Sequence, residues 1–203
     1  MIKGTLVGVL FAAGALGEIA AGWDFSAAQL SCAKDQEIDL TRAPSPDEAL
    51  YLTHLTWLAD HVAIGTVSEI KHDIRGPYPT LVDLDIAEAL KGSLTGEIVV
   101  ALDSGPRYDE TTGKIGQVIA SGEPVFEKGE EVLVFLTRKY PVIPEMPEKF
   151  ALPPGTYRPL VETKLRLDSE KATLVGGDRT YGRKEARDEV LAAVAYAESC
   201  RGH

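Results

Sequence analysis

Two histidines and an aspartate give this chain its first opening for chemistry: His54 and His61 stand seven apart on one face of an expected helix, with Asp60 beside the second. Imidazoles with a carboxylate are zinc-hydrolase ligands, but a zinc-binding helix spaces its histidines at i and i+4, and no third ligand follows here. The pair is therefore read as surface or interface histidines flanking Trp57, and His72, in the turn KHDIRG, as solvent-facing. Asp83 and Asp85 could offer carboxylates to a hard cation, yet the alternation of a half-buried strand accounts for both without an ion. Asp103-Ser104-Gly105 lacks the Gly-x-Ser-x-Gly elbow and has no histidine placed as its base. Gly113-Lys114 lacks the preceding glycine of a phosphate loop, and Gly176-Gly177-Asp178 reads as a turn. No catalytic set, metal site or cofactor is expected.

The elements that would position these residues are mostly β. A first ordered helix is expected to start at Ser45-Pro46-Asp47-Glu48, where a serine cap, an early proline and two acids suit a helix N-terminus. Leu50, Leu55, Leu58 and Val62 then give it an apolar stripe. Strands follow over 62–70 and 80–90, the second with Val82, Leu84 and Ile86 alternating against Asp83 and Asp85, so that one face is buried and the other wet. Gly76-Pro77-Tyr78-Pro79 between them is a stiff turn. Residues 97–102 and 131–137 are continuous apolar runs, as in strands covered on both faces. The long connection between those runs carries a turn at Thr112-Gly113-Lys114 and a short strand near 117–120. Residues 140–159 hold six of the twelve prolines and form a Pro-rich surface loop. A hairpin around Asp168-Ser169-Glu170 and a helix over 183–200, with Val190, Leu191, Val194 and Ala197 inward, complete the chain.

The N-terminus has the layout of a secretory signal peptide over 1–22, with Lys3, an apolar run over 4–17 and cleavage after Gly22, or after Ala28 at an SAA site. The run is shorter than the ~20 residues that span a bilayer, which argues against a retained anchor. Gln29, three before Cys32, argues against a lipid-attachment box. Cys32 and Cys200, near the two ends, have neither CxxC spacing nor nearby histidines. In an oxidising compartment such a pair is expected as a disulfide, the alternative being two unpaired thiols. Residues 23–203 are expected to form one domain, since 203 residues, 44% of them hydrophobic, suffice for one sizeable core. A net charge of −10 with no basic cluster makes nucleic acid and anionic membrane poor partners.

Over about 32–136 the chain resembles bacterial exported domains with a netrin-like, tissue-inhibitor-of-metalloproteinases-like OB barrel. The shared words are Ala59-Asp60 in ADHVAIGTVSEI, Leu90-Lys91-Gly92 in LVDLDIAEALKG, and Gly129-Glu130 in GEPVFEKGEEVLVFL. The resemblance implies a mainly β fold, a five- to six-stranded OB-like closed barrel with an N-terminal and a C-terminal helix. In animal members an N-terminal cysteine ligates a protease zinc. Cys32 is the sole counterpart here, without a CxC pair.

The functional expectation is a secreted or periplasmic, non-catalytic module that engages a protein or peptide partner through its loops. Candidate contacts are Tyr108, in the loop 108–116, and Tyr140, Phe150 and Tyr157 of the Pro-rich segment, aromatics that could equally close the barrel bottom. Metalloprotease inhibition and a small exported hydrolase built on surface carboxylates are the alternatives.

Overall fold

The computed structural model describes residues 25–120, 123–138, 152–175 and 177–200. The expected signal segment 1–22 and most of the Pro-rich loop lie outside these residues. The first element is a helix that the composition had hidden, α1 (Ala27–Asp35). Ser26 and Gln29 close a capping box: the Ser26 Oγ accepts from the Gln29 N–H at 3.2 Å, and Gln29 Oε1 accepts from the Ser26 N–H at 2.9 Å.

The expected helix at Ser45 does not begin there. Glu48 Oε1 accepts from the Ser45 N–H at 2.9 Å, but the backbone stays in turns until α2 (Tyr51–Leu58). Arg179 holds that turn by donating to the Pro46 carbonyl at 2.8 Å and to the Glu48 carbonyl. Every residue of α2 is buried, and the helix ends before Asp60. His61 therefore opens the first strand and shares no helical face with His54.

Among the described residues nine strands follow: β1 (His61–His72), β2 (Thr80–Lys91), β3 (Gly96–Leu102), β4 (Gly105–Asp109), β5 (Lys114–Val118), β6 (Glu131–Thr137), β7 (Thr156–Leu167), β8 (Lys171–Leu174) and β9 (Thr180–Gly182). The last element is α3 (Arg183–Ser199). The main sheet runs β3-β2-β1-β6-β7-β8-β9, and a parallel pairing of Val99 with Thr156 and Val100 with Tyr157 joins β3 to β7. That contact closes β1, β2, β3, β7 and β6 into a five-stranded barrel of OB type. β4 and β5 stand apart as a two-stranded sheet.

The barrel separates two apolar clusters. Val82, Leu84, Ile98, Val100, Val132 and Val134 are among the residues that fill its interior. Leu133, Phe135, Leu160 and Leu165 face outward onto α2 and α3. β6 thus buries both faces, as its unbroken apolar run required. α3 turns Ala186, Val190, Ala193 and Ala197 inward, whereas Leu191 and Val194, expected in that stripe, are partly buried at its edge. At Gly92, after β2, the backbone adopts φ +76°, and a Cβ there would fall 2.1 Å from the His61 Nδ1, so glycine is required twice over.

Asp83 corrects the simple alternation of β2: it is 4% exposed and ion-paired to Lys71, while Asp85 is exposed. The β1–β2 register slips between Val67 and Glu69, and Lys71 covers the Asp83 carboxylate from the neighbouring strand.

Cys32 of α1 and Cys200, the residue that caps α3, form a disulfide with Cα atoms 6.2 Å apart. It closes a loop of 168 residues, so its removal relaxes mainly the unfolded chain. Replacing both cysteines by serine should lower unfolding stability by about 2–5 kcal/mol in urea titrations. A midpoint unchanged from the oxidised parent would contradict this pairing.

Candidate functional site

Strand β7 buries two cations, Lys164 on the face that lines the barrel interior and Arg158 on the opposite face. Lys164 pairs in register with Val134 and is fully buried, its Nζ bonded to Glu130 and 4.4 Å from the centroid of the Phe126 ring. Glu130 also accepts from Arg166 Nε at 3.1 Å. Burial pulls the Lys164 ammonium below its ordinary pKa against the opposing pull of Glu130. Nearer the start of β7, Arg158 is 6% exposed, donates to Asp103 Oδ2 at 2.8 Å and lies 4.6 Å over the Tyr78 ring. Burial lowers its pKa, but Asp103 and Tyr78 outweigh burial and hold it above the ordinary value.

Asp103 and Ser104, just past β3, present successive backbone N–H groups to Glu123, at 2.7 and 2.6 Å from its two carboxylate oxygens. Burial raises the Glu123 pKa, with the Asp103 charge adding to it and the backbone donors opposing. An acid raised in this way is a common mark of catalysis. Here both its oxygens are occupied by main-chain donors, and the Ser104 Oγ accepts from the Ala120 N–H at 2.9 Å. The cluster ties the end of β3 to β7 and to the segment before β6. It is an internal cross-link of the barrel and presents no activated nucleophile.

The histidines are equally dispersed. His54 is 1% exposed rather than on the surface, with Nδ1 at 3.5 Å from Glu48 Oε2 and Nε2 buried without a hydrogen-bond partner among the described residues. His61 packs edge-on against Tyr157, ring centroids 5.2 Å apart. Asp60 turns to Thr137 Oγ1, which donates to its carboxylate at 2.8 Å. Among the described residues no three His, Cys, Asp or Glu side chains gather closely enough to hold a metal ion.

Of the candidate contact residues, Tyr108 lies on β4, half-buried, with the Arg75 guanidinium 4.5 Å from its ring centroid. Tyr157 lies on β7, partly buried against the barrel interior and beside His61. These two strands do not pair with each other. Tyr140 and Phe150 fall outside the described residues. The structure brings Cys32 and Cys200 together and adds residues the sequence did not single out. Ile115 on β5 and Ile119 just beyond it are 61% and 82% exposed, on the arm that leaves the barrel. An alternation too short to stand out, Lys-Ile-Gly-Gln-Val, was their only signal.

Neither a family model, nor a curated protein, nor a solved structure matches this chain.

The buried pair gives a direct test. Glu130→Gln leaves the Lys164 ammonium buried without its counter-charge and should cost about 3–5 kcal/mol, while adding Lys164→Met should recover more than half of that loss. A double-mutant cycle with additive losses would show that the two side chains do not interact. His54 supplies a pH test. Burial lowers its folded pKa below 6.5, so the unfolded chain takes up a proton that the folded chain refuses. The sign follows: this stabilisation is complete above about pH 6.5 and declines as pH falls through the folded pKa. Stability curves should therefore slope downward from pH 6.5 toward 5, and His54→Asn should flatten that slope.

Proposed function

We propose that this chain is an exported, non-catalytic binding module of the netrin-like, tissue-inhibitor-of-metalloproteinases-like OB class, and that it engages a protein or peptide partner through the β4–β5 arm. The observation that carries this reading is the arm itself: a hairpin outside the closed barrel with Ile115 and Ile119 exposed. Large apolar side chains facing water next to a rigid scaffold are characteristic of docking sites. The paired carboxylates and cations elsewhere are consumed by internal cross-links, which favours binding over catalysis.

Export is supported by the Cys32–Cys200 disulfide, since such bonds persist in oxidising compartments. Among the described residues no helix is long and apolar enough to cross a membrane. The inhibitor alternative needs a cysteine at a chain terminus, whereas Cys32 lies inside α1, so only cleavage through that helix would supply one. The hydrolase alternative is disfavoured because Asp103 is bound to Arg158.

A photo-reactive residue placed at position 115 should form adducts with one discrete partner in the exported fraction of the native cell. The same residue at position 184, on exposed Lys184 of α3, should not. Equal labelling at both positions, or none at 115, would overturn the arm as the binding surface.

A further inference from the structure

We propose that β5 is an open strand edge that accepts an extended, basic segment of a partner polypeptide as a third strand of the β4–β5 sheet; the proposal rests on the binding-module reading above and specifies its partner's chemistry. The two sides of the hairpin differ. On β4, the Tyr108 N–H donates to the Ile74 carbonyl at 2.7 Å, and Pro106 carries no N–H, so that edge is covered. On β5, pairing runs in unbroken register from Val118 to Lys114 against β4, and among the described residues β5 pairs with no other strand. Residues 114–117 are all exposed.

Natural sheets blunt such edges with proline, bulges, inward charges or a covering loop. Among the described residues β5 has none of these beyond Lys114 at one end. It offers a row of outward backbone groups together with apolar side chains, which is the requirement for strand addition. Alternation along the pair places Ile115 on the same face as Tyr108, its cross-strand partner, and Arg75 braces the Tyr108 ring. A side chain of the incoming strand would rest against Ile115 on that face. At Gly116 a Cβ would meet nothing within 4 Å, so the opposite face has room for a long side chain of the added strand.

Charge selects among occupants. A second copy of this chain would bring a further −10 against the first, an unfavourable encounter at ordinary ionic strength. Asp109 at the end of β4 and Glu110 in the turn are exposed, with Lys114 across from Asp109 and Arg107 on the same strand. The charge that favours a cationic occupant is therefore the −10 of the whole chain, with Glu110, among the described residues, the unpaired acid of the turn's end. Asp109 accepts from the Thr111 N–H at 2.9 Å and the Thr112 Oγ1 at 2.7 Å, contacts that favour its ionised form. An extended segment with lysine or arginine alternating with aliphatic residues meets both the apolar strip and the acidic charge of the whole chain.

The test uses the full chain, ¹⁵N-labelled, titrated with two acetylated synthetic peptides of equal length, one alternating valine with lysine and one alternating valine with glutamate. The lysine peptide is expected to saturate shifts of the amides at 114–118 and to slow their hydrogen exchange, with binding weakened by added salt. The glutamate peptide should leave them unmoved. Ile115→Ser with Ile119→Ser should reduce affinity by about tenfold or more, consistent with loss of two buried aliphatic contacts. Glu110→Gln, an exposed change that leaves the fold intact, should weaken the lysine peptide alone. Equal binding of both peptides would overturn the charge selection. Shifts confined to the barrel, or no binding while cross-linking at position 115 still traps a partner, would overturn strand addition and leave the module reading standing. Concentration-dependent β5–β5 pairing without peptide would replace the partner strand by a second copy. Loss of both the peptide response and the cross-link would reject the module reading as well.

Discussion

Two residue pairs, Val99 with Thr156 and Val100 with Tyr157, convert an open sheet into a barrel. Without that short parallel contact β3 would be an edge strand and the side chains inside it would face water. The Val99 N–H also donates to the Gly155 carbonyl at 3.2 Å, and Gly155 adopts φ +74° as the chain turns into β7. The twelve residues of β7 then serve three neighbours, β3 at its start, β6 along most of its length and β8 at its end. Lys164 points into the closed barrel and Arg158 is buried on the opposite face of the strand, and each lies where only a carboxylate can offset its desolvation. Asp103 and Glu130 supply the two carboxylates. Such pairs contribute little net stability, but a strand slipped by one residue would expose one cation and bury the wrong neighbour. The cost of that mismatch favours the observed register.

Outside the barrel the same closure leaves one apolar face for the helices. α2 is buried at every residue against it, α3 packs its small residues there, and the disulfide fixes α1 to α3. Because the five barrel strands are paired on both sides, the residues between β3 and β6 cannot join the barrel sheet, and they fold on themselves as the β4–β5 arm. Scaffold and candidate binding surface thus follow from one topological event.

Much of the scaffold was legible in the chain. The unbroken apolar run of β6, the turn at Gly113 and the expected pairing of the two terminal cysteines hold, and β2 is a strand as its alternation indicated, though with Asp83 buried. What escaped did so because distant residues decide it. α1 has a cap but little apolar periodicity, so nothing before folding marks it against the segment that precedes it. Ser45-Pro46-Asp47-Glu48 carries helix-start chemistry, yet Arg179, far along the chain, takes the carbonyls that would begin the helix. Asp83 is buried by Lys71 across a register slip, and the group of Tyr78, Asp103, Glu123 and Arg158 is assembled from four separate segments. Of the candidate surface, the turn at Gly113 was legible, but Tyr108 was expected in a loop and lies on β4, the short strand expected near 117–120 lies at Lys114–Val118, and Ile115 and Ile119 gain meaning only once β5 is known to have an uncovered edge.

The account stands on the closed barrel, and residue-resolved hydrogen exchange on the isolated chain tests it most directly. It predicts that the amides of Val99 and Tyr157 exchange as slowly as those of β6, near the limit set by global unfolding, while the amides at 115–117 on β5 exchange on the timescale of exposed loops. Fast exchange at Val99 and Tyr157 alongside a protected β6 would mean an open sheet, with no enclosed site for Lys164 and no reason for the arm to be expelled.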